Sequence, residues 1–200
     1  CPKLARFAAN QELANAEFLA GIPGTVGGAL AMNAGCFGGE TWSVVDRVRV
    51  VDRAGRFHER EPQEYVVGYR HCGSRVAADE WFVCAWFRFA DGEARVARAR
   101  IRELLELRVA NQPLQLPNAG SVFRNPPGDH AARLIEAAGL KGLRVGGARV
   151  SEKHANFIVN PGRLARAGDI EALIERVHET VLARFGVDLV REVRIVGEPR

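Results

Sequence analysis

A serine held between a glycine and two prolines is the first feature of this sequence that could support chemistry. The stretch from Asn118 to Pro127 reads Asn-Ala-Gly-Ser-Val-Phe-Arg-Asn-Pro-Pro. Gly120 gives the backbone freedom before Ser121, and the two prolines end the short apolar strand that follows. A hydroxyl held at a strand end can serve a site, or it can bond its own local backbone. From this stretch alone both roles stay open for Ser121.

A second chemical feature is the crowding of glycines between residues 21 and 39. These are Gly21, Gly24, Gly27, Gly28, Gly35, Gly38 and Gly39. Glycines permit positive φ and let a ligand approach the backbone, whose N–H groups can then hold a pyrophosphate. Tight packing of backbone on backbone is the alternative. The spacing is not the G-x-G-x-x-G dinucleotide fingerprint, and no strand with that context precedes it.

Length and composition limit the class of protein. The chain has 200 residues, of which 47% are hydrophobic and 26% charged. These values are typical of a globular protein with one large domain or two small ones. No apolar run approaches the roughly 20 residues that span a bilayer, and the start, Cys-Pro-Lys-Leu-Ala-Arg, lacks the apolar centre of a signal peptide. We therefore expect a cytoplasmic protein that has no membrane partner.

Charge, cysteines and histidines narrow the choice of ligands. The net charge is +4 and the pI is about 9.2, which suits an anionic small substrate. A basic nucleic-acid-binding or anion-binding module without catalysis is the alternative, although no recognised nucleic-acid fold is visible. The cysteines form no Cys-x-x-Cys pair and the histidines show no ligand spacing, so we predict no metal site and a reducing compartment.

Helical and strand patterns are mixed without regular alternation, which predicts an α+β fold. We place helices within 3–20 and at 93–110, 130–138 and 170–185, and strands at 44–51, 56–59, 81–89, 148–150, 156–159 and 187–196. Pro113 and Pro117 mark a domain boundary. The predicted domains are residues 1–110 and 111–200, and the last strand, about 188–197, is expected to pack back at the active site.

Six motifs occur together in a recognisable order. They are Gly-Ile-Pro-Gly-Thr-Val-Gly-Gly-Ala at 21–29 leading into Met32-Asn33-Ala34-Gly35, Gly68-Tyr69-Arg70, the Ser121 stretch, Gly-Leu-Lys-Gly at 139–142, Gly146 to His154, and Glu192 to Gly197. In this order and spacing they resemble the flavin-dependent UDP-N-acetylenolpyruvoylglucosamine reductases of bacterial cell-wall synthesis. The resemblance covers essentially the whole chain.

The resemblance implies a reaction and three catalytic residues. In that family NADPH reduces a bound FAD, and hydride then passes to the enolpyruvyl group to give UDP-N-acetylmuramate. Ser121 matches the serine that protonates the intermediate, Arg70 the catalytic arginine and Glu192 the catalytic glutamate. A guanidinium can bind the substrate carboxylate bidentately, and a glutamate can share a proton with the enol. Taken singly, Arg70 could form a surface salt bridge and Glu192 a cross-strand pair.

The resemblance also implies binding residues in two domains. Residues 1–110 would be part of a flavin-binding domain, and residues 111–200 a smaller substrate-binding domain. The flavin contacts would be Ile22, Pro23, Gly24, Thr25, Gly27 and Gly28. The UDP-sugar contacts would be Tyr69, Arg108, Asn125, Lys141 and His154. Helix capping or loop packing is the alternative role for the substrate contacts.

Three departures from the family pattern qualify these expectations. Cys72 stands where the family usually has serine. The connection from Cys72 to Trp81 is short, which is typical of the short-loop type. The family's N-terminal portion, with its Gly-rich flavin loop, does not precede Cys1. We therefore expect these 200 residues alone to be inactive, to bind FAD weakly or not at all, and to need that missing lobe. A monomer is expected, and a catalytically inactive relative is a further alternative.

Overall fold

The chain folds into two compact units, Cys1–Arg108 and Val109–Arg200. A computed structural model describes residues 1–197. The division falls in the last turn of the helix Ala94–Asn111, close to the boundary predicted at residue 110. Each unit has its own buried cluster of apolar side chains, so each is described by itself.

The first unit combines three helices with short antiparallel strands. The helices are α1 (Pro2–Asn10), α2 (Val26–Ala31) and α3 (Ala94–Asn111). The strands are β1 (Leu13–Ala14), β2 (Gly35–Cys36), β3 (Gly39–Glu40), β4 (Val45–Asp52), β5 (Phe57–Arg60), β6 (Tyr65–Gly68), β7 (His71–Ser74), β8 (Glu80–Phe87) and β9 (Ala90–Asp91). The largest sheet has the order β5-β4-β8, and β6 and β7 form a separate hairpin.

Two buried clusters stabilise the first unit. Val48 and Val50 of β4 point to one face, as the two-residue period of a strand requires, and pack with Trp42 and Leu30. The indole N–H of Trp42 donates to the Leu30 carbonyl at 2.8 Å, which satisfies that polar atom in the core. The second cluster joins the alanine face of α1 to the start of α3.

The second unit is a four-stranded antiparallel sheet covered by two helices. Its elements are β10 (Asn118–Ser121), α4 (Ala131–Ala137), β11 (Arg144–Val145), β12 (Ala148–Val150), β13 (Phe157–Val159) and α5 (Ala167–Phe185). The sheet order is β10-β13-β12-β11. Helix α5 buries Leu173, Val177 and Val181 at helical spacing, and it ends at Gly186, whose φ is +68°.

The α+β prediction is confirmed, because every strand pairing within residues 1–197 is antiparallel and helices lie beside the sheets. The prediction of a last strand at 187–196 is wrong. The related prediction, that a strand at about 188–197 packs back at the active site, fails as regards the strand for the same reason. The described residues of this segment form one isolated bridge, between Arg191 and Phe123. Pro126 and Pro127 limit the pairing at one end, because in this antiparallel register they lie opposite Asp188 and Val187 and donate no ladder hydrogen bond.

None of the helices within residues 1–197 is long and apolar enough to cross a membrane. Over the same residues, no three His, Cys, Asp or Glu side chains are grouped so that they could hold a metal ion.

Candidate active site

Ser121 lies at a β-bulge in the second unit. In the pairing of β10 with β13, Asn118 opposes Val159 and Ser121 opposes Phe157, so β10 carries one extra residue. Gly120 adopts the positive φ that the bulge requires, +86°. Its N–H donates to Asn118 Oδ1 at 2.9 Å. A bulge re-aims the side chain beside it. The backbone freedom predicted for Gly120 is therefore used to turn Ser121.

The Ser121 hydroxyl is half-buried and is not used for local bonding. Among the hydrogen bonds of residues 1–197, none engages its Oγ. Backbone pairing with Phe157 holds the residue instead. The alternative role for Ser121, a hydrogen bond from its hydroxyl to the local backbone, is therefore absent from the described residues.

Glu192 lies on the segment next to Ser121. The Glu192 N–H donates to the Val122 carbonyl at 2.8 Å, and the Arg124 N–H donates to the Val190 carbonyl at 2.8 Å. These two bonds flank the bridge between Phe123 and Arg191. The second unit thus brings the predicted proton donor and the predicted glutamate onto neighbouring backbone, although they are far apart in sequence.

Asn156 completes the other edge of this segment and was missed by the sequence analysis. Its side chain is 4% exposed. Oδ1 accepts from the Phe123 N–H at 3.0 Å, and Nδ2 donates to the Phe123 carbonyl at 2.8 Å. A buried backbone group left unsatisfied costs about 1–3 kcal/mol. The available signal was an amide side chain inside the otherwise apolar run Ala155–Val159.

His154 is positioned as a neutral hydrogen-bond donor. Its Nδ1 accepts from the Asn156 N–H at 3.3 Å, and its ring packs edge-on against Phe157 with the centroids 4.8 Å apart. Burial lowers the pKa of His154, and the nearby charge of Lys141 lowers it further. Because Nδ1 accepts, the neutral ring carries its proton on Nε2 and can donate from there.

Lys141 and Asn125 both have structural partners. Lys141 Nζ lies 2.6 Å from Glu136 Oε1, and its charge acts on His154. Asn125 Oδ1 accepts from the Ala131 N–H at 3.1 Å, at the first turn of α4. The capping role that the sequence left open for Asn125 is therefore present. The proposed ligand contacts of these residues stay a prediction.

Replacing His154 is expected to change how stability depends on pH. Unfolded histidine binds a proton near pH 6.5, whereas folded His154 binds one only at lower pH. As pH falls below about 6.5, protons therefore favour the unfolded state and stability decreases. Glutamine can accept from the Asn156 N–H but does not titrate. Thermal unfolding of His154→Gln from about pH 8 to about pH 5 should show a shallower loss than wild type; an identical slope would contradict the assignment.

Arg70 lies in the first unit at the turn of the β6–β7 hairpin. Gly68 pairs with His71, so Tyr69 and Arg70 form a two-residue turn, and Arg70 has a φ of +52°. Its guanidinium carbon is 5.4 Å from the centre of the Tyr69 ring. A non-glycine residue in the left-handed region costs about 1–2 kcal/mol. Strain of this kind occurs at functional sites.

A buried asparagine anchors the turn that carries Arg70. Asn33 is 1% exposed, and its Nδ2 donates to the Gly68 carbonyl at 3.1 Å and to Glu40 Oε2 at 2.9 Å. Its Oδ1 accepts from the Trp42 N–H at 3.1 Å. In the sequence, Asn33 is distinguished only as part of a motif. The structure shows that it ties the hairpin to the core of the first unit.

The first unit also carries Arg108, at its last position. Burial raises the pKa of the Cys36 thiol, and the charges of Arg108 and Arg70 oppose that rise. The charges of both predicted arginines therefore favour the thiolate form of Cys36. Burial raises the pKa of the Cys72 thiol to about 11, and its side chain packs on the cluster around Trp42. At the position where the family usually has serine, this chain thus places an inward-facing thiol.

The glycines of the 21–39 stretch separate into two groups. A Cβ on Gly21 would lie 2.6 Å from Cys36 Sγ, and a Cβ on Gly39 would lie 2.6 Å from Phe18 Cγ. These glycines are required by internal packing. A Cβ on Gly24 would meet nothing within 4 Å, and one on Gly27 only the Phe82 carbonyl at 3.9 Å. Internal packing does not require these two glycines.

The rest of the predicted flavin loop is held from within the first unit. The backbone nitrogen of Cys1 donates to the Gly24 carbonyl at 2.7 Å, and Thr25 Oγ1 accepts from the Gly28 N–H at 3.1 Å. Pro23, Gly24 and Thr25 are exposed. The Ile22 side chain is 7% exposed and belongs to the core, so it contributes packing.

Comparison with known proteins adds an independent observation. A family profile described as "UDP-N-acetylenolpyruvoylglucosamine reductase, C-terminal domain" matches residues 112–196, and one described as "FAD binding domain" matches residues 1–60. The UDP-N-acetylenolpyruvoylglucosamine reductase of Thiobacillus denitrificans is 62% identical over 197 residues, which are 98% of this chain and 60% of that protein. The reductase of Alkalilimnicola ehrlichii is 60% identical over 198 residues, covering 99% of this chain and 65% of that protein.

A solved structure agrees with these relatives. The crystal structure of UDP-N-acetylenolpyruvylglucosamine reductase (MurB) from Thermus caldophilus is similar with a TM-score of 0.83 at 38% identity, covering 96% of this chain and 68% of that one. The chain spans 60% and 65% of the two curated relatives above. On these identities and coverages, the chain belongs to the UDP-N-acetylenolpyruvoylglucosamine reductase family.

Proposed function

We propose that the protein is an FAD-dependent reductase that converts UDP-N-acetylenolpyruvoylglucosamine to UDP-N-acetylmuramate in peptidoglycan synthesis, with NADPH as reductant. The observation that carries the proposal is the placement of Ser121 at a bulge, with Glu192 bonded through its N–H to the next residue. Bulges next to active sites re-aim functional side chains. A hydroxyl held by backbone pairing, with a carboxylate on the adjacent segment, is an arrangement suited to delivering one proton.

The exposed glycine loop fits a flavin cofactor. Space beside Gly24 and Gly27 is open where a Cβ would otherwise stand, and the loop backbone is exposed there. A bound FAD would accept hydride from NADPH and supply it to the substrate. Pro23 to Gly28 would hold it by close approach of the backbone to its phosphates. The match of residues 1–60 to an FAD-binding family supports this assignment.

The polar residues then have separate tasks in the reaction. Arg70 binds the substrate carboxylate and offsets the charge that develops beside it. Glu192 shares a proton with the enol oxygens. Ser121 donates the final proton to the α-carbon, acting through its position, because a serine hydroxyl is a weak acid in water.

Basic and neutral donors are available for the UDP-sugar. Lys141 and His154 lie near each other in the second unit, one as a cation and one as a neutral Nε2–H donor. A diphosphate accepts hydrogen bonds from both kinds of group. We propose that these two residues, with Tyr69, Arg108 and Asn125, contact the substrate. A cytoplasmic, monomeric enzyme is part of the same proposal.

Adding a methyl group at Gly24 or Gly27 is expected to weaken flavin binding and to leave the fold intact. Neither position has a positive φ, and a Cβ meets no close neighbour at either one. A methyl group forced into a filled site costs about 1–3 kcal/mol, which corresponds to about 5- to 150-fold in affinity. Flavin titration and thermal unfolding of full-length Gly24→Ala and Gly27→Ala measure the two effects separately.

Gly39→Ala is the matched control for this prediction. The same methyl group there would lie 2.6 Å from Phe18 Cγ in the core, so the melting temperature should fall. Unchanged flavin affinity in both Gly24→Ala and Gly27→Ala would remove this loop from the cofactor site.

The proposed activity is tested on full-length protein by following NADPH oxidation in the presence of UDP-N-acetylenolpyruvoylglucosamine. We expect NADPH consumption that depends on the UDP-sugar, with equimolar formation of UDP-N-acetylmuramate. A protein that retains flavin but oxidises NADPH at the same rate with and without the UDP-sugar would contradict the proposed substrate.

A further inference from the structure

In the second unit, the buried side chain of Asn156 hydrogen-bonds both backbone groups of one residue, Phe123. Phe123 lies between the Ser121 and Arg124 positions, and its own N–H and carbonyl both bond to the side chain of Asn156. These contacts join residues 33 positions apart in sequence. The neighbouring Val122 N–H donates to the Asn156 carbonyl at 2.9 Å.

The two edges of the Ser121 segment are bonded differently. On one edge, the Val122 carbonyl and the Arg124 N–H bond the Glu192 N–H and the Val190 carbonyl. On the other edge the regular ladder with β13 ends at the pair Ser121–Phe157. The Asn156 amide continues this edge by one rung, because it offers the acceptor and the donor that a strand residue would offer.

We propose that Asn156 is a positioning residue for the protonation step, setting the backbone of Phe123 and thereby the placement of Ser121 relative to Glu192. The inference rests on the proposed function for its kinetic consequence. Its structural part stands on the hydrogen bonds alone. Phe123 has Ser121 two residues before it and is bridged to Arg191, the residue before Glu192. A shift of Phe123 therefore moves both functional residues.

Burial explains why the side chain at this position must offer both an acceptor and a donor. Asn156 is 4% exposed and Phe123 is 1% exposed, so water cannot replace lost bonds to the Phe123 backbone. An apolar side chain would leave the Phe123 N–H and carbonyl without partners inside the core. The backbone would then move to find new ones, and it carries Ser121 and Glu192 with it.

The direct test is hydrogen exchange of full-length Asn156→Ala compared with wild type. We expect faster exchange at the amides of Phe123, Arg124 and Glu192, while the amides of β12 stay protected. Asn160→Ala is the matched control, because Asn160 makes the same kind of amide pair with Ala165, with Oδ1 2.8 Å from its N and Nδ2 3.4 Å from its O. The control should leave the Phe123 and Glu192 amides unchanged.

The functional test compares the two half-reactions by stopped flow on the same proteins. Misplacement of a catalytic group by about 1 Å can cost about 10²-fold, so reoxidation of the flavin by the UDP-sugar should slow by about that factor in Asn156→Ala. Bleaching by NADPH should keep its wild-type rate constant. Loss of folded protein alone would lower both amplitudes and neither rate constant.

Asn156→Asp provides a second variant in case the alanine variant does not fold. A protonated carboxyl offers one acceptor and one donor, as the amide does, whereas a carboxylate offers acceptors only. The substrate half-reaction of this variant, measured relative to wild type, should therefore recover as pH falls.

The outcomes separate this inference from the proposed function. Faster exchange at Glu192 in Asn156→Ala supports the positioning role even if the UDP-sugar proves not to be the substrate. Exchange changes confined to residues 154–158, or equal substrate half-reactions in Asn156→Ala and Asn160→Ala, would overturn it.

Discussion

Ser121→Ala is expected to slow the substrate half-reaction by about 10²–10⁴-fold, the usual contribution of a positioned proton donor. Bleaching of the flavin by NADPH should continue, because that step does not involve the α-carbon of the substrate. The methyl group of alanine has no proton to donate. The bulge should persist, since Gly120 and the Ser121–Phe157 backbone pair form it.

Stopped-flow absorbance on the full-length enzyme measures each half-reaction of Ser121→Ala separately. Ser121→Cys should recover part of the loss, because a thiol can donate a proton although its size differs. Ser43→Ala is a suitable control, since Ser43 is exposed and its hydroxyl donates locally to the Glu40 carbonyl at 2.6 Å. If alanine at 121 slows reduction by NADPH and leaves reoxidation by substrate intact, Ser121 is not the proton donor.

Arg70→Lys is expected to lower turnover by about 10²–10³-fold, the range seen when a charge-stabilising donor is removed. Lysine keeps the positive charge but loses the planar pair of donors that can bind a carboxylate bidentately. Binding of the UDP-sugar should fall much less. The main-chain geometry should be unaffected, because arginine and lysine meet the same constraint at a φ of +52°.

Arg70→Gly separates the function of this position from its effect on stability. Glycine adopts positive φ without steric cost, so the relief of backbone strain should offset part of the stability lost with the arginine side chain, and turnover should fall far more than the melting temperature. Arg53→Lys in the β4–β5 turn is the control, because Arg53 pairs with Asp79 on the surface. Unchanged turnover in Arg70→Lys, measured as kcat under saturating substrate, would remove Arg70 from the mechanism.

Local patterns determined much of the secondary structure in advance. The β4–β5 hairpin follows from its Asp-Arg-Ala-Gly turn, where Gly55 has a φ of +78°. Helix α5 follows from its apolar periodicity and from Gly186 at its end. Features of this kind depend on residues a few positions apart, so the sequence carries them directly.

The motifs likewise predicted which family the chain resembles, and Gly120 beside Ser121 predicted a backbone that turns there. What the motifs could not show is how each residue is held. The same residues around Ser121 are compatible with a strand end and with a β-bulge. The unequal pairing of β10 with β13 shows that the bulge is formed.

Tertiary contacts decided the rest, because they join residues that are distant in sequence. The sequence does not distinguish Gly24 from Gly39. In the structure, a Cβ on Gly24 would face open space, whereas a Cβ on Gly39 would meet the Phe18 ring. The strand predicted after Gly186 has β-prone residues but finds a partner only at Phe123. Strand formation needs a neighbouring ladder as well as propensity. Asn156 could be assigned its partner only once the fold had placed it against the backbone that carries Ser121.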